Sequence, residues 1–242
     1  MTLIEFSALS DHGLSDRNDD TYCAEQIGDY FVLAVADGLA GHPDSGLASV
    51  TAIDALRETV KKTKGPPREV LLAGVRQADA AIRTLSESSP QRAGLATTLV
   101  ACLIDKKMVC IVLDAGEKNC IIITKNSVRN AQSEALSRHP DGSVEPYAAP
   151  PPPSLSEMIS RVLGAPRRLK AADFSEFVLG DEFLLLSSDG LTDVLQPDAI
   201  ADIVRKNREN PDVACEVLVQ EAMKAGSEST ITVVLSHRSA GT

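Results

Sequence analysis

The stretch FVLAVADGLAGHPDSGLAS, residues 31–49, decides how the chain is read. Phe31 to Ala36 is an unbroken apolar run of strand length, Asp37-Gly38 ends it, and from Ser45 onward apolar residues recur at three- and four-residue steps. A carboxylate at the tip of a core strand is costly unless it is paired or binds something. Asp-Gly is also a common turn dipeptide, so the pair alone decides little.

The same figure recurs downstream. In FLLLSSDG, Asp189-Gly190 closes a second apolar run, and Asp19-Asp20 stands where the polar turn Ser10 to Asp20 enters a strand. Three acidic points at strand ends can border one cleft. Carboxylates crowded together repel and shift their pKa values unless a divalent cation neutralises them. A Gly after the Asp lets the backbone carbonyl approach such a cation. The pattern points to a hard-metal site, and a pair of such cations can activate a water and hold a phosphate.

Working outward, Thr2 to Ser10 reads as a strand, and Thr21 to Gln26 with Tyr30 to Ala36 reads as a hairpin. A helix follows from Ser45, with Leu47, Val50, Ile53, Leu56 and Val60 on one face. A second starts at Pro66-Pro67 and carries Val70, Leu71, Val75, Ala78, Ile82 and Leu85. Three strands come next, in ATTLVACLID, MVCIVLDA and NCIIITK. Residues 126–154 are polar and proline-rich, with Pro150 to Pro153 in a row, and read as a long excursion with little regular structure. Beyond it lie a short helix in SLSEMISRVLG, strands in ADFSEFVL and EFLLLSS, helices from Pro197 and Pro211, and a last strand in STITVVLSH. Strands come in runs and helices in pairs. That is an α+β layout of antiparallel sheets with helices packed outside, and residues 1–242 read as one domain.

Composition narrows the function classes. The net charge is -10 and no basic stripe occurs, which argues against a nucleic-acid partner. No run of 18 apolar residues predicts a membrane span, and the N-terminus lacks the pattern of a secretory signal, so the expected location is the cytoplasm. The five cysteines are odd in number and show no CxxC spacing, as expected of buried thiols in a reducing compartment. The four histidines show no HxxxH spacing, so a metal here would take oxygen ligands, which suits Mg²⁺ or Mn²⁺.

In order along the chain, RNDD (Arg17 to Asp20), VADGLAGHPDSGLAS (Val35 to Ser49), GLATTLVACL, DAGEKN, RVLG (Arg161 to Gly164), SDGLTD (Ser188 to Asp193) and STITVV (Ser229 to Val234) resemble the motifs of the metal-dependent protein phosphatases of the protein phosphatase 2C-like (PPM) class, compact type. The resemblance runs from about Ser7 to Leu235 and implies a four-layer αββα sandwich, two antiparallel sheets flanked by helix pairs. It also implies a pair of Mn²⁺ or Mg²⁺ ions at one end of the sandwich. By resemblance Asp37 bridges both ions, the Gly38 carbonyl and Asp19 serve one, Asp189 serves the other, and Asp20 supports the cluster from behind. A metal-activated water then removes phosphate from phosphoserine or phosphothreonine of a partner protein.

The chain departs from the family pattern at several points. Ser229-Thr230 stands where the family has Asp-Asn, so Glu228, one residue earlier, is the candidate replacement ligand. The family's phosphate-gripping Arg falls at Ser15, which makes Arg17 the candidate to take that role. Gly-Asp-Ser-Arg has become Gly116-Glu117-Lys118-Asn119. His42 lies too far beyond Gly38 to match the general-acid His of some members and reads as a loop-ordering residue. These departures motivate an alternative, a pseudophosphatase of the same fold that acts as a regulatory binding module. Oligomeric state and preferred metal are not legible at this level.

Overall fold

The computed structural model describes residues 3–115, 120–131, 137–138, 144–145, 162–165 and 173–239. Its strands are β1 (Leu3–Asp11), β2 (Asp20–Ile27), β3 (Tyr30–Asp37), β4 (Leu99–Ile104), β5 (Val109–Ala115), β6 (Cys120–Ile123), β7 (Val128–Asn130), β8 (Ser137–Arg138), β9 (Val144–Glu145), β10 (Asp173–Val178), β11 (Phe183–Ser187) and β12 (Ile231–Ser239). Its helices are α1 (Ser45–Lys62), α2 (Pro67–Glu87), α3 (Asp189–Thr192), α4 (Pro197–Lys206) and α5 (Pro211–Lys224). Two five-stranded sheets form, in the orders β1-β12-β11-β6-β7 and β10-β5-β4-β3-β2, and every pairing is antiparallel.

The unbroken apolar run of β3 belongs to a strand buried on both faces. Val32, Ala34 and Ala36 pack with Ala52, Leu56, Leu71 and Ile82 of α1 and α2, whereas Phe31, Leu33 and Val35 pack between the two sheets. β11 mirrors it in the other sheet. Leu184 and Leu186 face the inter-sheet core, and Phe183 and Leu185 pack with Ile200, Val204 and Leu218 of α4 and α5. Three apolar layers therefore separate four layers of structure, and the αββα sandwich expected from the sequence is the fold. Prolines open α2, α4 and α5, where the missing N–H has no partner to lose.

The strand period of two sets up the site. Continuing the alternation places Asp37 on the same side as Val35, and Ser188 on the same side as Leu186, so both reach the same end of the inter-sheet core.

Two local expectations are corrected. The excursion expected to hold little regular structure contains β7, which pairs with β6, and the short β8–β9 ribbon. Three residues at a sheet edge carry too little periodicity to be seen in sequence. Helix α3 follows Ser188 directly, where a loop up to Pro197 was expected. The proline run and most of the helix expected over Ser154 to Gly164 lie outside the described residues, as does the Gly116 to Asn119 motif.

Leu33 is fully buried between the sheets. Leu33→Ala is expected to lower the unfolding free energy by about 2–5 kcal/mol, read by denaturant titration, since the strand neighbours leave little room for collapse.

Candidate metal centre

Asp20 opens β2 and Asp37 ends β3, and the antiparallel register sets them directly opposite each other. The backbone around them is tied on every side. The Asp37 carbonyl accepts from the Thr98 N–H (2.9 Å) and the Thr97 hydroxyl (2.7 Å), and the Gly38 N–H donates to the Asp19 carbonyl (3.2 Å). A Cβ on Gly38 would sit 2.3 Å from the Ser45 carbonyl oxygen, and one on Gly190 would sit 2.1 Å from that of Thr230. Each Asp-Gly glycine is therefore required by packing. Gly38 admits the start of α1, and Gly190 admits the backbone leading into β12.

Asp189 begins α3. The residue before it, Ser188, is clamped to the neighbouring strand: its N–H donates to the Thr232 carbonyl (3.0 Å), its hydroxyl donates to the Thr230 carbonyl (3.1 Å), and it accepts from the Thr232 N–H (2.9 Å). Asp20 is only 8% exposed, and neither of its carboxylate oxygens has a well-aligned hydrogen bond. Burial pushes its pKa up to about 6 with help from the Asp189 charge, while the nearby Thr232 and Ser188 hydroxyls and the Asp37 side chain hold the rise back. Burial also raises Asp189, as does the Asp193 charge, against hydrogen bonding from the Gly190 N–H and the Asp37 side chain. Asp20, Asp37 and Asp189 thus share one patch of low dielectric. Among the described residues no three His, Cys, Asp or Glu side chains stand in a ready-made metal-binding arrangement. The carboxylates lean on one another, which requires protons between them. Oxygen donors gathered around a buried carboxylate that resists ionisation, as Asp20 does, are the donor set that a hard divalent cation relieves.

Asp19 stands just outside this patch. It accepts from the Arg17 Nε (3.1 Å) and from the Gly46 N–H at the start of α1 (3.2 Å). The Arg17 guanidinium also donates to the Pro43 carbonyl (2.5 Å), the His42 carbonyl (2.8 Å) and the Ser45 hydroxyl (3.0 Å). Its donors converge on the 42–45 loop, so the expected phosphate grip is corrected to a tether that fixes this loop and Asp19. His42 accepts the Asp44 N–H at Nδ1 (3.0 Å), the loop-ordering role expected of it. Ser15, where the family places its Arg, sits in a tight turn with its carbonyl on the His12 ring (2.7 Å).

Glu228 is exposed and absent from the charges that act on Asp20 and Asp189. Its neighbours are held elsewhere: the Ser227 hydroxyl donates to the Gly190 carbonyl (2.8 Å), and the Ser229 carbonyl lies so close to Gly13 that a Cβ there would be 2.8 Å away. The expectation that Glu228 replaces the family Asp is therefore not met by the geometry. Ser188, Thr232 and Asp193 were missed in sequence. The first and last are plain members of SDGLTD, and Thr232 was legible only as a hydroxyl inside an apolar strand.

Fold and site together give an αββα sandwich with a cluster of carboxylates at one end. The sequence pattern of the protein phosphatase 2C family matches residues 174–231. The chain is 27% identical to serine/threonine phosphatase stp of Listeria welshimeri, over 86% of this chain and 84% of that protein. It is 28% identical to protein phosphatase PhpP of Streptococcus pneumoniae, over 96% of each. The catalytic domain of the serine/threonine protein phosphatase PstP in complex with two manganese ions has the same fold, at a TM-score of 0.78 and 23% identity, covering 99% of this chain and 100% of that one. The chain is similar to the protein phosphatase 2C-like (PPM) phosphatases in its fold, in this stretch of pattern and along most of its length.

Two outcomes are expected. An acid whose folded pKa of about 6 exceeds its unfolded value favours folding below the unfolded value, and that contribution is lost as pH rises through the folded one. In EDTA, denaturant titrations are expected to show stability falling by about 3 kcal/mol between about pH 4 and pH 7, and Asp20→Asn is expected to flatten the fall. Arg17→Ala is expected to free the 42–45 loop, raising amide exchange at Asp44 to Gly46 and weakening Mn²⁺ binding about tenfold or less, since it removes a support and no ligand.

Proposed function

We propose that the chain is a protein serine/threonine phosphatase, a Mn²⁺- or Mg²⁺-dependent phosphomonoester hydrolase acting on phosphoserine and phosphothreonine in proteins, with residues 1–242 forming one such domain. The observation that carries the reading is the meeting of buried Asp20 with half-buried Asp37 and Asp189 at one end of the sandwich. Asp37 would hold both cations, the Gly38 carbonyl and Asp19 one of them, and Asp189 the other, with Asp20 behind. Bound there, the cation pair lowers the pKa of a water and neutralises the phosphoryl oxygens.

The chain's own residues supply placement. Arg17 and the Gly46 N–H aim the Asp19 carboxylate. Ser188, laced to Thr230 and Thr232, sets the start of α3 and with it Asp189. Asp20 would give up its proton when cations are held there, so their binding is expected to tighten as pH rises through about 6. No Arg stands at position 15, which leaves the charge of the phosphate to the cations. The relatives' names support a phosphoprotein as the substrate. Among the described residues no helix is long and apolar enough to cross a membrane. A partner met in solution, in the cytoplasm, suits the acidic chain, and nucleic acid does not.

The test is hydrolysis of p-nitrophenyl phosphate and of a phosphothreonine peptide with Mn²⁺, with Mg²⁺ and with EDTA. Turnover is expected only with metal. Asp37→Asn is expected to remove at least about nine-tenths of the rate while leaving the fold intact by circular dichroism, as befits a ligand shared by two cations. A folded Asp37→Asn protein that keeps its rate would overturn the assignment.

A further inference from the structure

Three neighbouring strands of the second sheet place polar residues side by side at one end of the inter-sheet core, and a fourth places one a step deeper. The register runs Asp20 opposite Asp37, Val35 opposite Val100, and Val100 opposite Asp114, with Thr98 two residues before Val100. Asp20, Asp37 and Thr98 are thus level with one another, and Asp114 stands beside Val100, one step deeper on the same face. The first two belong to the centre, and the Thr98 N–H holds the Asp37 carbonyl. Asp114 lies two strands from Asp37, on the order of 10 Å at the usual strand spacing. Yet it continues the face of Cys110 and Val112, both buried between the sheets. Its charge acts on the Cys120 thiol of the opposite sheet, so it is felt across the sandwich.

Between Asp114 and the opposite sheet lies a cavity of about 10 Å³, lined by Asp114, Thr98 and Val35 on one side and Ser188 on the other. That is room for one water, and a buried water needs two to four polar partners. The partners are present. A carboxylate accepts only, and Thr98 contributes a hydroxyl. The Ser188 hydroxyl donates to Thr230 and accepts from Thr232, which leaves it one further lone pair.

We infer that Asp114 is a positioning residue that acts through a single buried water on Ser188. The water donates one proton to the Asp114 carboxylate and the other to the Ser188 hydroxyl, and lies within reach of Thr98. The bridge joins the two sheets at the residue that sets Asp189. A one-water link is stiff because each partner is already held by its own strand. Losing it lets Ser188 and the start of α3 relax, which loosens the centre without removing a ligand. The consequence for the centre rests on the phosphatase reading above, and the water itself does not.

The first test is a crystal structure of the full chain at a resolution that shows ordered solvent. A water within hydrogen-bond distance of Asp114 and Ser188 is expected, and a dry cavity, or a water that touches neither, overturns the inference. The second compares Asp114→Asn with Asp114→Val by calorimetric Mn²⁺ titration and steady-state kinetics. Asn keeps an acceptor for the water and is expected to hold Mn²⁺ affinity within about twofold. Val removes it and is expected to weaken affinity about tenfold and lower kcat more than it raises KM. Equal losses in both variants would mark a simple charge effect, and no loss in Val would mark an idle residue, and either result overturns the role. If Val does not fold, the solvent structure and the Asn variant still decide.

Discussion

The structure turns on the cost of holding carboxylates at the open end of an apolar sandwich. Asp20 is nearly as buried as the leucines below it, and its reluctance to ionise is the measure of that position. Everything around it manages the cost. The two sheets bring Asp37 and Asp189 to the same place, and the hydroxyls of Ser188 and Thr232 line it.

The same constraint explains why the support is so dense. A metal centre works only if its ligands stand still, and groups that orient ligands matter nearly as much as the ligands. Gly38 and Gly190 let backbones meet at distances no side chain permits. Arg17 binds a loop from beneath in place of reaching for phosphate. The departures from the family pattern thus fall into two kinds. At Ser15 and Ser229 a charged side chain is absent. At Arg17 the charge is present but employed in architecture.

Much of this was legible in advance because burial leaves a strong mark. β3 and β11, buried on both faces, show as apolar runs, and each run ended in the Asp-Gly that marks the site. Strands in runs and helices in pairs marked an antiparallel α+β layout, and the αββα layers were what the motifs' family resemblance implied. What sequence missed were short or edge elements, β7 and α3, whose few residues carry no period. Glu228 failed for a different reason: closeness in sequence to a lost ligand says nothing of which way a side chain leaves a loop.

The sequence by itself determined the antiparallel α+β layout and the two apolar runs that end at Asp37 and Asp189, because alternation and apolar runs encode which face of a strand is dry. Only the tertiary structure decided which partners each group would meet. That Asp20 lies beside Ser188 and Thr232, that Arg17 closes on His42 and Pro43, and that Asp114 faces a water-sized gap are all contacts between strands far apart in the chain. Pairing register and sheet-on-sheet packing set such contacts, and a local pattern of residues carries no record of them.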